Sequence, residues 1–276
     1  QTRGIGMAIN TPLMNVMVGA ARKAARSLIR DFGEVENLQV SRKGPADFVT
    51  QADMKAERII REELLRTRPH YGFVMEEGGV IEGLDKTHRW FIDPLDGTTN
   101  FLHGLPHFAI SIGLEREGQL VAGLVFNPIA DEMFTAEKGQ GAWVNDKRLR
   151  VSARRELNVA LVATGIPYKG KPGHEGFSGE LSLMMNEVAG VRRFGAAALD
   201  LAWVAAGRFD AFWERGLSSW DVAAGIVILR EAGGLVTDLN GGQDMLNAGH
   251  ILAANTQLHA PLLKLLGEAP CEGVKS

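Results

Sequence analysis

The sequence predicts a fold of mixed α and β structure, and three features of its hydrophobic pattern indicate this class. Two helical patterns come first, at residues 11–32 and 52–66. Residues 108–144 then have the alternating runs and short turns of an antiparallel meander. The second half alternates between short apolar strands and helices. We expect one compact unit that divides near residue 150, into an N-terminal half (1–150) and a C-terminal half (151–276).

The first helix is predicted to begin at Pro12, because Thr11 is a favoured N-cap and proline is favoured at the first helical position. Gly33 is the stop signal at its other end. The second helix has a continuous apolar face that consists of Ala56, Ile59, Ile60 and Leu64. A short apolar run at residues 90–92 predicts a strand that ends at Asp93.

Two apolar runs, at residues 109–114 and 120–126, form the predicted meander, and Glu117-Gly118 is the turn signal between them. The second half is divided by the same periodicity rules. Its predicted strands lie at residues 160–163, 210–213, 235–237 and 251–253, and its predicted helices at residues 180–188, 196–206, 222–231 and 258–266.

The composition is that of an ordinary globular protein, since 45% of the 276 residues are hydrophobic and 23% are charged. The formal net charge of −3 argues against a nucleic-acid scaffold and against a polybasic membrane anchor. No apolar run approaches the roughly 18 residues of a spanning helix, and no signal-peptide pattern opens the chain. Cys271 is the only cysteine, which excludes an intrachain disulfide and favours a reducing compartment. We therefore expect a cytoplasmic protein.

The strongest chemical signal lies directly after the predicted strand at residues 90–92. Asp93 and Asp96 place two carboxylates three residues apart, and Gly97 lets the backbone approach a ligand closely. Residues 98–100 have the composition of a short helix start, whose N–H groups favour an anion such as phosphate. Carboxylates beside a phosphate repel it unless hard divalent cations lie between them. The alternative is a capped turn with two solvated aspartates.

Three further acidic positions sit at the ends of predicted elements, where functional sites are commonly built. Glu76-Glu77 follow an apolar run, although acidic pairs are usually surface residues. Asp53 and Asp221 lie near the starts of predicted helices, where a simple N-cap is the alternative role for each.

Several separated motifs in this order resemble those of the inositol monophosphatase family, from about residue 12 to about residue 265. The first signature is Trp90-Phe91-Ile92-Asp93-Pro94-Leu95-Asp96-Gly97-Thr98-Thr99-Asn100-Phe101. The second is Trp220-Asp221-Val222-Ala223-Ala224-Gly225, ending in Glu231-Ala232-Gly233-Gly234. Asp47-x-x-Thr50-x-Ala52-Asp53 and Glu76-Glu77 also fall where that family has them.

The resemblance implies a layered αβαβα sugar-phosphatase fold. The N-terminal half would carry a large antiparallel sheet with helices and the metal and phosphate loop. A smaller α/β C-terminal half would complete the active site. The resemblance also implies a homodimer and inhibition by lithium.

It further implies a phosphomonoesterase that uses two or three Mg²⁺ ions and in-line attack of a metal-activated water on inositol 1-phosphate or a similar polyol or sugar monophosphate. Glu76, Asp93 and the carbonyl of Leu95 would bind the first ion. Asp93, Asp96 and Asp221 would bind the second, and a third, weaker ion would sit near Glu76.

The same resemblance assigns the catalytic and substrate roles. Thr98 would orient the attacking water and Asp53 would help to accept its proton, with Glu76 and Asp93 completing the catalytic set. Glu214 would accept a hydrogen bond from a substrate hydroxyl. The implied substrate-binding residues are Asp96, Gly97, Thr98, Thr99, Gly195, Ala196, Ala197, Glu214 and Asp221.

Two positions depart from the family pattern: Gly78 and Ala196 stand where the family often has a hydroxyl residue. Substrate choice therefore stays open. The alternatives are a related phosphatase, acting on fructose 1,6-bisphosphate, histidinol phosphate or phosphoadenosine phosphate, and an interaction protein of the transcription machinery. The basic stretch Arg148, Arg150, Arg154 and Arg155 is a candidate contact for such a partner, or a solvated edge. We expect no membrane or nucleic-acid partner.

Overall fold

The computed structural model describes residues 11–34, 40–44 and 47–269, with side chains described at 11–34 and 51–269. Cys271 lies outside this range. The helices are α1 Pro12–Phe32, α2 Gln51–Thr67, α3 Thr98–Leu102, α4 His174–Glu187, α5 Ala197–Ala205, α6 Ser219–Glu231, α7 Met245–Ala248 and α8 His259–Gly267. The strands are β1 Val40–Gly44, β2 Asp47–Thr50, β3 Gly72–Met75, β4 Gly79–Ile81, β5 His88–Asp96, β6 Ala109–Arg116, β7 Gln119–Asn127, β8 Glu132–Glu137, β9 Gly141–Val144, β10 Lys147–Arg148, β11 Leu161–Thr164, β12 Gly190–Arg192, β13 Ala211–Arg215, β14 Leu235–Thr237 and β15 His250–Ala254.

The strands form a large sheet, a smaller sheet and the hairpin β1–β2. The eight-stranded sheet has the order β10-β9-β8-β7-β6-β5-β3-β4 and is antiparallel except where β3 pairs with β5. The five-stranded sheet has the order β12-β11-β13-β15-β14, in which the first three strands are parallel. The parallel β3–β5 pair brings the carboxyl ends of two strands to one edge of the large sheet.

Five layers follow from which faces of these sheets are apolar. α1 and α2 cover one face of the large sheet, with Met17, Leu28 and Ile60 fully buried against it. α5 and α6 fill the space between the two sheets, and α4 and α8 cover the far face of the small sheet. The predicted mixed α and β fold with αβαβα layering is therefore confirmed.

Helix α6 lies unusually close to the large sheet. Gly113 and Gly123 are cross-strand partners on β6 and β7. A Cβ atom on Gly113 would lie 2.9 Å from the Cβ of Ala223, and one on Gly123 would lie 3.0 Å from the carbonyl carbon of Ala224. Two glycines on one face thus seat the helix directly on the strands, which fixes the position of its first turn.

The element boundaries correct several predictions. The strand predicted at residues 90–92 runs to Asp96, and it passes Pro94 at a bulge where no ladder bond is needed. The helix predicted from residue 180 begins earlier, at His174. The division into residues 1–150 and 151–276 stays a prediction. Among the described residues, no helix is long and apolar enough to cross a membrane.

Candidate active site

Four carboxylates predicted from separate motifs meet at the edge where β3 and β5 end. Met75 pairs in parallel with Ile92, so the next residues, Glu76 and Asp93, lie side by side. Besides its burial, the negative charges of Glu76, Asp96 and Asp221 act on the carboxyl group of Asp93, so these side chains lie close together. The fold therefore brings together two strand ends and the first turn of α6.

The backbone around these acids is held by several short hydrogen bonds. Asp93 Oδ1 accepts the N–H of Leu95 at 2.9 Å, and Asp96 Oδ2 accepts the N–H of Ala198 in the first turn of α5 at 2.7 Å. Gly97 follows with φ +91°, a left-handed conformation that strains any residue with a side chain. The bulge and the glycine together turn the chain from β5 into α3.

Asp221 is not the N-cap considered from the sequence, because Ser218 occupies that position and Asp221 is the third residue of α6. Its Oδ2 accepts the N–H of Ser218 at 2.7 Å, so it takes part in capping α6. The same carboxylate lies beside Asp93. This hydrogen bond at the start of α6 fixes one carboxylate oxygen of Asp221. The other oxygen is left on the side of the acidic cluster.

Crowding and burial make this cluster electrostatically unfavourable on its own. Burial, followed by repulsion from neighbouring carboxylates, raises the pKa of Asp93 and Asp96 well above the usual range. Burial raises the pKa of Asp221 to about 7 and that of Glu214 to about 8. These acids cannot all be ionised near neutral pH without compensating positive charge.

The donor set fits hard divalent cations. Carboxylate and carbonyl oxygens are the ligands preferred by Mg²⁺. Within the described part of the chain, however, no three of the acidic side chains are already arranged around one point as a closed coordination sphere.

Thr98 and Asp53 form a polar pair beside the cluster. The Thr98 hydroxyl lies 3.2 Å from Asp53 Oδ1 and 3.1 Å from the Leu95 carbonyl oxygen. Asp53 is fully buried. α2 begins at Gln51, so Asp53 lies inside its first turn and is not the N-cap considered from the sequence. The predicted short helix after Gly97 is present as α3.

The segment predicted to line the substrate side lies against this turn. A Cβ atom on Gly97 would lie 3.3 Å from both the Ala196 Cβ and the Gly195 carbonyl oxygen. Ala196 and Ala197 are buried, so neither side chain offers a polar group to a ligand. Thr99 is the second residue of α3, and its carbonyl oxygen accepts a hydrogen bond from His103 Nδ1 at 2.8 Å.

Glu214 lies in β13, a strand of the small sheet. Its carboxylate is half-buried and packs directly over the Cα of Gly165, so a side chain at that position would collide with it. The negative charge of Asp221 adds to the effect of burial in raising its pKa, while the charges of Arg193 and Lys171 oppose the rise. Glu214 therefore faces the acidic cluster from the C-terminal half.

The sequence reasoning missed two buried acids next to the site. Asp200 in α5 is 1% exposed, and its carboxylate oxygens have no hydrogen-bond partner among the described residues. Burial, together with repulsion from Glu214, raises its pKa well above the usual range. Glu57 in α2 is 6% exposed. A charged residue on the otherwise apolar helix at 196–206 was a signal for Asp200, and helical spacing of four from Asp53 was a signal for Glu57.

Comparisons with known proteins agree with this geometry. A model of the inositol monophosphatase family matches residues 9–270. The inositol-1-monophosphatase of Mesorhizobium japonicum is 60% identical over 252 residues, which cover 91% of this chain and 95% of that protein. The Nus factor SuhB of Pseudomonas aeruginosa is 44% identical over 256 residues, covering 91% and 94%. The crystal structure of the extragenic suppressor protein suhB from Bartonella henselae superimposes with a TM-score of 0.91 at 58% identity, covering 94% of this chain and 99% of that one.

Proposed function

This chain belongs to the inositol monophosphatase family, and on that premise we propose that it is a magnesium-dependent phosphatase of inositol 1-phosphate or a similar polyol or sugar monophosphate. One observation carries the proposal: the carboxylates of Glu76, Asp93, Asp96 and Asp221 converge beside Gly97, with Asp93 buried and the other three partly exposed. Such a cluster is stable in ionised form only with cations, and the adjoining turn suits a phosphate group.

The proposed metal ligands are the carboxylates of Glu76, Asp93, Asp96 and Asp221 and the carbonyl oxygen of Leu95. These oxygen atoms would hold two or three Mg²⁺ ions. When bound, these ions would supply Lewis-acid stabilisation of the phosphoryl oxygens and lower the pKa of the attacking water.

The chain's own residues would position the water and the phosphate and would accept the proton. The Thr98 hydroxyl, held near Asp53 Oδ1 at 3.2 Å, would orient the attacking water, and Asp53 would take up its proton. The N–H groups of Gly97 and Thr98 would hold the phosphate oxygens through the transition state. The reaction would be a direct in-line displacement by water, without a phospho-enzyme.

The substrate side would be formed by Thr99, the backbone of residues 195–197 and Glu214. Because Ala196 and Ala197 have no polar side-chain atoms, specificity for hydroxyls would rest mainly on Glu214. Its position opposite Asp221 suits a leaving group that extends from the phosphate toward the C-terminal half.

An interaction with the transcription machinery receives little support from the structure. Arg154 pairs with the buried Asp210 at 3.0 Å, and Arg148 stacks over the ring of Trp143. Two of the four arginines in the basic stretch are therefore engaged within the fold, although Arg154 and Arg148 remain partly accessible. A homodimer and a cytoplasmic location remain proposals that follow from family membership.

The test is phosphate release by purified protein from a panel of substrates. Inositol 1-phosphate is compared with fructose 1,6-bisphosphate, histidinol phosphate and phosphoadenosine phosphate, each with Mg²⁺, Ca²⁺ or excess chelator. Magnesium should activate, calcium should replace it poorly because it is larger and takes more ligands, and lithium should inhibit. Full activity in chelator would refute the metal assignment, and a strong preference for another substrate would reassign the enzyme within the family.

A further inference from the structure

Glu57 is a buried carboxylate that the proposed reaction does not use. It lies one helical turn after Asp53 on the same face of α2 and is 6% exposed. Its Oε2 accepts the N–H of Glu77 at 2.8 Å, and the carboxylate also accepts the N–H of Gly78. Burying a carboxylate is costly, so the backbone donors that face Glu57 from the turn after β3 indicate a site built around it.

These two N–H groups belong to the residues that directly follow Glu76. The N–H of Glu76 itself donates to the carbonyl oxygen of Ile92 at 3.2 Å. The backbone at Glu76 is thus held from β5 on one side and from Glu57 on the other. The position of the backbone limits where a side chain can reach. These hydrogen bonds on both sides therefore determine where the Glu76 carboxylate lies relative to Asp93.

We propose that Glu57 is a positioning residue for the metal site: its carboxylate fixes the turn after β3 and thereby holds Glu76 in place to bind magnesium. The inference rests on the proposed function, in which Glu76 is a metal ligand. Helix α2 then serves the site twice, through Asp53 at Thr98 and through Glu57 at the Glu76 turn.

In this chain a side chain at position 78 would press on the same contact. A Cβ atom on Gly78 would lie 2.8 Å from Glu57 Oε1 and 2.8 Å from the Met75 methyl carbon. Both atoms end flexible side chains, so an alanine can be accommodated by moving them without disturbing the fold. That movement would pull the Glu57 carboxylate away from the two N–H groups that it holds.

Two variants test this role: one changes the carboxylate of Glu57, and the other displaces it. Glu57→Gln replaces one acceptor oxygen with an NH₂ group, which cannot accept from a backbone N–H. Gly78→Ala leaves the charge in place but displaces it. Glu62→Gln is the matched control, because it makes the same change on an exposed face of the same helix.

The primary measurement is calorimetric titration of the metal-free protein with Mg²⁺ alone, and the second is the magnesium dependence of inositol 1-phosphate hydrolysis. We expect Glu57→Gln and Gly78→Ala to weaken magnesium binding by about tenfold or more, as loss of outer-shell partners commonly does. Turnover at saturating magnesium should stay within about threefold of the wild type, a margin well below the loss expected from a missing catalytic group. Glu62→Gln should match the wild type.

Wild-type magnesium affinity in both variants would overturn the inference, and so would a fall in saturated turnover with unchanged magnesium affinity. Thermal unfolding in chelator separates this from a folding defect, since Gly78→Ala should unfold near the wild-type temperature. A wild-type protein that binds no magnesium would overturn the proposed function, and this inference with it.

Discussion

Asp93 is the residue on which the electrostatics of the site depend most. It is 2% exposed, and the negative charges of Glu76, Asp96 and Asp221 act on its carboxyl group. Asp93→Asn preserves its shape and removes its charge. We expect turnover at saturating magnesium to fall by at least about a hundredfold, because metal positioning and charge stabilisation are both lost.

The same substitution should not unfold the protein. Removing one of several mutually repelling carboxylates relieves repulsion in the metal-free state, so the unfolding temperature in chelator should stay the same or rise. Asp146→Asn, at an exposed turn, is the control for charge alone. Near-normal turnover of Asp93→Asn would contradict the proposed metal site.

Glu214 provides a test of substrate recognition that is separate from the metals. Glu214→Gln should lower kcat/KM for inositol 1-phosphate by the equivalent of roughly 1–3 kcal/mol, the scale of one hydrogen bond to a charged group. It should barely affect p-nitrophenyl phosphate, whose leaving group has no hydroxyls to bind. The measurement is kcat/KM for both substrates in both proteins.

The two substrates separate the possible outcomes. An equal loss on both would indicate damage to the metal site or the fold. No loss on either would remove Glu214 from the substrate contacts, and the preference for a polyol would then rest on family membership alone.

At the scale of elements, the packing of α6 on β7 should affect both the free energy of unfolding and the affinity for magnesium. Gly123→Ala would force the helix away from the sheet, since the new methyl group would meet the backbone of Ala224. We expect a loss of about 1–3 kcal/mol in the free energy of unfolding, the usual cost of overpacking. Magnesium affinity should also fall, because Asp221 moves with the start of α6.

Denaturant unfolding and magnesium titration check this prediction. Gly19→Ala is the control, because an added methyl group at that position in α1 would meet no other atom within 4 Å. It should stabilise the protein slightly, by about 0.5–1 kcal/mol, through the higher helix propensity of alanine. Wild-type stability in Gly123→Ala would contradict the close contact between α6 and the sheet.

Local signals predicted individual elements well. Thr11 and Pro12 predicted the start of α1, and Met14 N–H indeed donates to Thr11 Oγ1 at 3.1 Å. The end of β5 was predicted too early, because Pro94 is normally a strand breaker and a bulge that tolerates it depends on the partner strand.

The assembly of the site could not be predicted from local signals. Glu76 and Asp93 become neighbours through the parallel pairing of β3 with β5, which depends on contacts between distant parts of the chain. Similarly, Glu57 and Asp200 have the sequence appearance of ordinary helix acids, and only the packing of α2 and α5 buries them. The resemblance to the family named the site residues, while the fold explains their proximity.

At the scale of the whole molecule, the layers concentrate negative charge between the large sheet and the small sheet. Asp93 and Asp96 come from the large sheet, Asp221 from the helix layer between the sheets, and Glu214 from the small sheet. A cation bound there would be held by elements of several layers. Metal binding should therefore stabilise the entire fold and not only one loop.

The pH dependence of stability follows from this arrangement. In the metal-free protein the pKa of Asp221 is raised from 3.8 to about 7 and that of Glu214 from 4.5 to about 8, mainly by burial. The folded state thus binds more protons than the unfolded state between about pH 4 and pH 8. The free energy of unfolding in chelator should therefore fall as pH rises through this window and level off above it.

Magnesium should reverse this trend, because it binds the ionised carboxylates and competes with protons for them. We expect the magnesium-induced rise in unfolding temperature to be at least about 5 °C larger at pH 8 than at pH 5.5, the order expected when a few kcal/mol of repulsion is relieved. Calorimetric unfolding in chelator and in saturating magnesium at both pH values measures it. Asp221→Asn should reduce the difference between the two pH values, since it removes one of the titrating groups. A magnesium effect that is equal at both pH values would mean that the ions bind away from these acids, because only groups that release protons when the metal binds can couple metal binding to pH.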